Sequence, residues 1–493
     1  MKSFIALAAG AAIVSSVSAS DFGHDQPDFG QTVEQLARQL SPFLYGTLGT
    51  LPESSSKSLT AAEANAHPER LLTVAPGLYV RVVNSDPILA PNIDQIVLWP
   101  NGSHPTHIIA CNEQGSGQVG VQRVNLTSGA VENIISAGLT SCDPGRRTPW
   151  GTLIVGEENG TNGRLFEILD PLHTTNVTVP SSGFGPSSDP AHVASLPALG
   201  QFSFEGLGIL PNGVVYMTDE NRPGSGNPGG ALVKFIPQVL RLPGSPAITS
   251  LAQSPWTAGR LFGMRLGRNS GNTDFGQGNE FGRGVWVEIT GTAPINLRAA
   301  ARTLKLTSYY RPEDMSVDLK QLAAGNVRVC GTNTGQDIPG GDNHWGEVYC
   351  VTDGKVADGE VINTTLQGTD TINTSTVPEY QPLVIGNFQF AMPDNIDIQP
   401  GTGNFVLNED GEGPTDTPAR NNDIWACLDD GADTDELSDG CVRLMTLNDL
   451  TAESTGGIFD ATGTRYFVSV QHNITGHGVI LEVDGWRIRH DHW

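Results

Sequence analysis

A chain of 493 residues with a formal charge of −25 presents a strongly anionic surface. That argues against nucleic acid or an anionic membrane as a partner, and disfavours a phosphorylated ligand unless bound cations reverse the sign locally. With 59 Gly, 32 Pro, 16% charged and 7% aromatic residues, the composition is that of a turn-rich, β-leaning soluble protein, expected as a monomer.

The chain opens on Met1-Lys2, an apolar run over residues 4–14 and the small residues Val17-Ser18-Ala19. This is the pattern of a secretory signal, 1–19, with the mature chain starting at Ser20. The apolar run is too short to span a bilayer, and no later segment is long enough. Asn101, Asn125, Asn159, Asn176, Asn363, Asn373 and Asn473 each begin an Asn-x-Ser/Thr acceptor, which suits a secreted, extracellular glycoprotein. Residues 20–85 form an N-terminal extension. The apolar spacing over 32–40 predicts an amphipathic helix, 54–58 a loop, and 61–64 a short helix. This part is expected to pack on the outside of the main domain.

Strands begin at 77–83 and 96–99, the latter followed by the turn Pro100-Asn101-Gly102. The next strands end in polar residues, at Asn112-Glu113 and at Glu157-Glu158-Asn159. Residues 204–209 then form a strand that opens on Glu205, turns at Pro211-Asn212-Gly213 and returns to Asp219-Glu220. Alternating branched and aromatic residues between turn formers mark a hairpin. The pattern recurs from Pro312-Glu313-Asp314 to Asn333, from Pro393-Asp394-Asn395 to Glu409-Asp410, and from Glu453 to His472-Asn473. Hairpins repeated with an acid at one place in each unit predict an all-β fold, a β-propeller over 86–490 with loop insertions. Residues that open inner strands converge on one mouth, so Glu205, Glu313, Asp394 and Glu453 are expected to meet there. Crowded carboxylates must take up protons or bind cations, and cations are the simpler answer. The other reading of these acids is solvated loop residues or turn caps.

Six cysteines in an exported chain favour disulfides. Cys330 with Cys350 and Cys427 with Cys441 are close enough in sequence for each pair to staple one hairpin or loop. Cys111 and Cys142 remain, either as a third disulfide or with Cys142 as a metal thiolate. Residues 334–348 and 411–440 are long insertions suited to building a pocket or to decorating the surface. The acidic stretch 429–436 lacks the Glu that an EF-hand loop needs at its twelfth place. There is no G-x-S-x-G elbow, H-E-x-x-H helix or phosphate loop. His104 and His107 read as loop residues, His472 as a structural histidine, and the tail 490–493 as a floppy segment able to hold adventitious metal.

Thr148-Pro149-Trp150-Gly151-Thr152, running into Glu157-Glu158-Asn159, resembles the PhoX family of secreted alkaline phosphatases. The likeness continues in order through Gly200-Gln201-Phe202-Ser203-Phe204-Glu205-Gly206, Val215 to Glu220, Arg311-Pro312-Glu313, Pro393-Asp394-Asn395 and Val468 to His472. It covers about residues 140 to 480. The resemblance implies a six-bladed propeller, iron and calcium ions bridged at the channel mouth, and hydrolysis of small-molecule phosphate esters without a covalent protein nucleophile. At matching positions it implies Cys142, Glu205 and Glu313 as iron ligands. Glu157, Glu158, Asp219, Glu220, Asp394 and Glu453 are implied as calcium or bridging ligands, and Arg311 as the phosphate contact. The residue types suit this chemistry, because calcium and ferric iron both favour carboxylate oxygen. A calcium-dependent propeller hydrolase of the lactonase kind, and a non-catalytic propeller stabilised by calcium and binding a partner, are the alternatives.

Overall fold

Six blades, each built on four antiparallel strands, follow one another along the chain in a ring; Val177–Thr178 adds a parallel edge strand to blade 1, and Gly282–Ile289 pairs with Glu379–Ile385 to join blades 3 and 4 in one sheet. The computed structural model describes residues 38–224, 227–266, 281–335, 345–355, 378–411, 420–431 and 437–488. The signal segment, most of the expected helix over 32–40, Asn363, Asn373, much of both long insertions and the tail 490–493 lie outside the described residues.

The inner strands of the six blades are Ile93–Trp99, Cys142–Arg147, Phe204–Ile209, Pro312–Val317, Pro393–Ile398 and Glu453–Phe459. Each pairs with the next strand of its blade, and each abuts the inner strands of both neighbouring blades. The protein is thus a six-bladed β-propeller with few helices. Its inner and second strands are covered on both faces by adjacent blades, so Leu153–Glu157 and Val215–Asp219 are buried along their whole length. Large rings fill the wedges between blades. Trp150 and Trp256 meet edge to face at 4.6 Å between centroids, in the apolar cluster that also holds Phe204 and Met217.

The N-terminal extension is woven into this ring. Tyr79–Asn84 pairs antiparallel with Ile480–Asp484 as the outermost strand of blade 6. The start of the chain therefore completes the sheet that its end begins. Leu72–Val74 adds a fifth strand to the outer edge of blade 5. The short helix expected over 61–64 runs Ala61–Ala66. The Thr60 hydroxyl accepts from the Glu63 N–H, and the Thr60 N–H donates to the Glu63 carboxylate. This reciprocal cap satisfies two donors that a helix start leaves open.

All six inner strands share one irregularity. Two residues of the inner strand oppose one of its partner, between Ile93 and Ile96, Cys142 and Gly145, Phe204 and Leu207, Pro312 and Met315, Pro393 and Ile396, and Thr455 and Ile458. Such a bulge bends the strand and re-aims a side chain that regular pleating would send elsewhere.

Candidate active site and metal centre

The first bulged residue is Asp94, Asp143, Glu205, Glu313 and Asp394 in blades 1 to 5, and Gly456 in blade 6. The bulge, rather than the strand start, is therefore what turns an acid toward the channel. All five acids are at most 6% exposed. Gly456 takes a positive φ of 63°, and a Cβ there would lie 2.4 Å from the Asp94 carbonyl oxygen. Blade 6 thus has a gap in the ring of acids. Glu453, expected as the fourth member of the set, sits three residues earlier, opposite Gln471. It contacts Asp410 and the Nδ1 of His472, the latter at 3.3 Å.

A second set of acids comes from the ends of the second strands. Alternation along a strand sends successive side chains to opposite sides, and this separates each acidic pair. Glu158, Glu220 and Asp410 follow the strand end and join the mouth. Glu157, Asp219 and Glu409 point back into their blades. There Glu157 accepts two bonds of 2.6 Å from Arg164, Asp219 accepts from Arg298 Nε at 2.8 Å, and Glu409 accepts from Arg420 at 2.5 Å. Glu157 and Asp219, expected as ligands, thus lie within their blades, each beside an arginine, while Glu158 and Glu220 face the mouth.

Cys142, expected as an iron ligand, is instead joined to Cys111 in a disulfide, so its sulfur is not available as a metal thiolate. The other two disulfides, Cys330–Cys350 and Cys427–Cys441, link facing strands within blades 4 and 5 as expected. Asn473 is buried, and its amide donates to the Val470 and His477 carbonyls at 2.6 and 3.1 Å. The folded chain therefore offers no free amide for a glycan there. Asn176 is exposed, and Asn101, Asn125 and Asn159 are partly so.

Two groups of carboxylates emerge. Glu205, Glu313 and Asp394 bring one oxygen each within 4.8 Å of one another, and so do Glu113, Asp143 and Glu158. Asp143 and Glu205 lie close enough for the charge of one to act on the other, which joins the two groups. Burial first, and then neighbouring carboxylates, push Asp94, Glu205 and Asp394 far above the ordinary carboxyl range. Burial and the charges of Glu113, Glu220 and Glu313 raise Glu158 to about 10. Buried Asp143 Oδ1 has no hydrogen-bond partner. An oxygen-only donor set, an orphaned oxygen and mutual repulsion together fit hard cations.

Arg311 is a buried cation shared among the acids of this mouth. Its Nε donates to Glu220 Oε1 at 3.0 Å, and its Nη2 lies 3.2 Å from Glu313 Oε1 and 3.4 Å from Asp410 Oδ2. The residue has a left-handed backbone, φ 53°, and is held by its N–H to the Asn221 carbonyl and by the Thr334 N–H to its own carbonyl. Such strained conformations gather at functional sites.

Glu113, Asp143, Asp94 and Asp410 were not among the ligands expected from sequence. The signal that could have found them is an acid at the second place of each inner strand, or directly after each second strand.

The model of the family described as alkaline phosphatase PhoX matches residues 113–473. Comparison with curated proteins finds no match. Among solved structures, the chain is similar to Pseudomonas fluorescens PhoX in complex with vanadate, a transition state analogue. The TM-score is 0.57 at 16% identity, covering 90% of this chain and 98% of that one. It is less similar to the PQQ-bound aldose sugar dehydrogenase of Streptomyces coelicolor, with TM-score 0.42, 12% identity and coverages of 83% and 98%. The pyranose dehydrogenase PQQ domain of Coprinopsis cinerea gives TM-score 0.44, 12% identity and coverages of 85% and 98%. With its model matching well over half of the sequence, in a fold shared with Pseudomonas PhoX, the chain belongs to the PhoX family of alkaline phosphatases.

Proposed function

We propose that the protein is a secreted, cation-dependent phosphatase that hydrolyses small-molecule phosphate esters at the two carboxylate groups in the propeller mouth. The observation that carries this reading is the meeting of two three-carboxylate groups beside one arginine. Glu205, Glu313 and Asp394 would hold one cation set and Glu113, Asp143 and Glu158 the other, with Glu220, Glu453 and Asp410 as further oxygens around them. Calcium, and iron in its ferric state, supply charge neutralisation, polarisation of a phosphoryl oxygen and acidification of water when bound to such oxygens. With Cys142 in a disulfide, iron would be held here by oxygen alone.

The protein's own contribution is order and charge. Thr334 donates its hydroxyl to Glu313 Oε1 at 3.1 Å, and Gln471 donates to Glu113 Oε2 at 2.6 Å, which fixes the orientation of one ligand in each group. The Arg311 guanidinium is shared among three carboxylates. Once cations satisfy those oxygens, its planar fork is left to donate paired hydrogen bonds to a phosphate. An anionic surface admits an anionic ester only where such charges reverse the local sign.

Family membership favours this reading over the lactonase-like and non-catalytic ones. Export is supported by the leader-like start of the sequence and by three disulfides, which persist in oxidising compartments. Among the described residues no helix is long and apolar enough to cross a membrane. The test is elemental analysis of protein purified without chelator, alongside hydrolysis of p-nitrophenyl phosphate before and after chelation. Metal-dependent release of phosphate is expected. A protein free of both calcium and iron, or one whose hydrolysis is indifferent to chelation, sinks the proposal.

A further inference from the structure

Four of the six seams are fastened at one repeated position, the residue just before the one that pairs with the start of the bulge. In blade 3 it is Thr218, whose hydroxyl donates to the Glu313 carbonyl of blade 4 at 2.6 Å. In blade 4 it is Thr332, whose hydroxyl donates to the Asp394 carbonyl of blade 5. In blade 5 it is Asn408, whose Oδ1 accepts from Tyr466 of blade 6. Blade 2 has Gly156, where a Cβ would meet the Pro144 side chain at 2.6 Å and Phe204 of blade 3 at 3.2 Å. In blade 1 the position is Cys111, and its fastener to blade 2 is the disulfide with Cys142.

The bond lies at the seam that carries one of the two carboxylate groups. Glu113 is two residues past Cys111, and Asp143 directly follows Cys142. Glu158 follows Glu157, which is paired in register with Cys142. Three acids whose charges repel have their backbones tied at this one point, where other seams rely on a hydrogen bond worth about 1 kcal/mol. The other two disulfides each lie inside a blade and tie no two blades together.

We propose that the Cys111–Cys142 disulfide is a clamp that sets the spacing of Glu113, Asp143 and Glu158, and so the hold of that group on a cation. The bridge is buried, with Cys111 3% and Cys142 0% exposed, and so acts as a fixed fastener of the seam. Without it the strands are free to separate under carboxylate repulsion, and the group loses its cation first. Cys111 and Cys142 are positioning residues in this account. The inference rests on the proposed cation-binding role of the group.

The test uses full-length secreted protein as purified, with calcium retained per chain measured by elemental analysis after dialysis against graded EGTA. Four proteins are compared: wild type, Cys111→Ala/Cys142→Ala, Cys111→Thr/Cys142→Ala, and Glu113→Gln to identify the calcium held by this group. The double-alanine variant is expected to lose that calcium at roughly tenfold lower EGTA, in keeping with what loss of an orienting contact does to metal affinity. The threonine variant, which restores the fastener of blades 3 and 4, recovers part of the loss. Wild-type and double-alanine proteins that release calcium together, even with a lower melting temperature for the variant, overturn the clamp and leave a purely structural bridge. Tighter retention in the variant overturns it too. A wild-type protein that holds no calcium overturns the cation reading itself, and the clamp with it.

Discussion

Asp143 and Glu205 come from the inner strands of neighbouring blades, and their buried carboxyl groups lie side by side across the seam, the charge of Asp143 acting directly on Glu205. Two buried carboxyl groups can do so only if one holds a proton or a cation supplies the missing charge. The contact turns two separate triads into one continuous acidic surface, with Arg311 at its edge. The pH and metal behaviour of the protein follows from that surface.

Chelation is expected to destabilise the protein, and more so at high pH. Metal-free, the carboxyls in the fold have raised pKa values, with Glu158 lifted from 4.5 to about 10 and Glu453 to about 8, by burial first and then by neighbouring charges. The folded state then keeps protons that the unfolded chain has already lost. Stability is greatest below about pH 4.5 for these groups and falls as pH rises toward 8 to 10. Bound cations replace the protons and flatten the curve. Melting midpoints with EGTA and with calcium should lie close together near pH 5 and several degrees apart above pH 8. A gap independent of pH would refute this account.

Glu157 and Glu158 are adjacent, yet they predict opposite phenotypes. Glu158→Gln removes an oxygen of the Glu113 group and should weaken metal retention and phosphatase activity by roughly 10- to 100-fold, with little loss of stability. Glu157→Gln leaves Arg164, 1% exposed, without its buried partner, and should cost about 3–5 kcal/mol of stability. Metal per folded chain should stay unchanged in that variant. Elemental analysis and denaturant unfolding of the two proteins decide this, and the reverse pattern would mean that Glu157 faces the cation.

How much of this was legible in the sequence follows from where the information resides. Glu205, Glu313 and Asp394 stood out because an acid interrupts an otherwise apolar strand start, directly after Phe204, Pro312 and Pro393. Asp94 and Asp143 obey the same rule, after Ile93 and Cys142, but Asp94 falls before the strand read at 96–99, and Asp143-Pro144-Gly145-Arg146-Arg147 does not read as a strand. Gly456 shows the limit of counting. A bulge is a property of register between two strands, so Glu453 looked equivalent until the pairing of Thr455 with Ser469 fixed the frame. The two faces of Glu157-Glu158 and Asp219-Glu220 could have been separated by period-2 alternation alone. The seam disulfide could not, because its cysteines are 31 residues apart on different blades, and spacing left both of their fates open.

Arg311 should act on phosphate rather than on metal. Replacing it with Gln is expected to lower kcat/KM for p-nitrophenyl phosphate by about 10²–10³, the range seen when one charge-stabilising donor is lost from a reaction centre. Calcium and iron content should be unaltered. Lys keeps the charge but not the fork, so Arg311→Lys should recover only a part. Inhibition by inorganic phosphate provides the direct check, since the Gln variant should bind it more weakly. Unchanged phosphate inhibition together with lost metal would mean that the arginine serves only to hold Glu220, Glu313 and Asp410 together.

Lys234 and Asp353 offer a test of the scaffold that leaves the mouth untouched. Both are fully buried in the wedge between blades 3 and 4, with Nζ 2.7 Å from Oδ2. Asp353 also accepts from the Tyr216 hydroxyl at 2.6 Å and the Trp286 indole at 2.8 Å, and the lysine lies 4.4 Å over the Trp286 ring. Removing only the cation strands a carboxylate in an apolar wedge, so Lys234→Met should cost about 3–5 kcal/mol. Replacing both residues, as Lys234→Met/Asp353→Leu, should recover only part of that loss, because it avoids the desolvation of two charges but leaves the Tyr216 hydroxyl and the Trp286 indole N–H without their acceptor. Burial pushes Lys234 down to about 8 against the pull of Asp353. The unfolded chain then binds the extra proton between pH 8 and 10.5, so this site adds stability as pH rises through that window. Urea midpoints of the three proteins at pH 7 and at about pH 10 measure both effects. Equal loss in the single and double variants would show that shape, not charge, holds these two blades together.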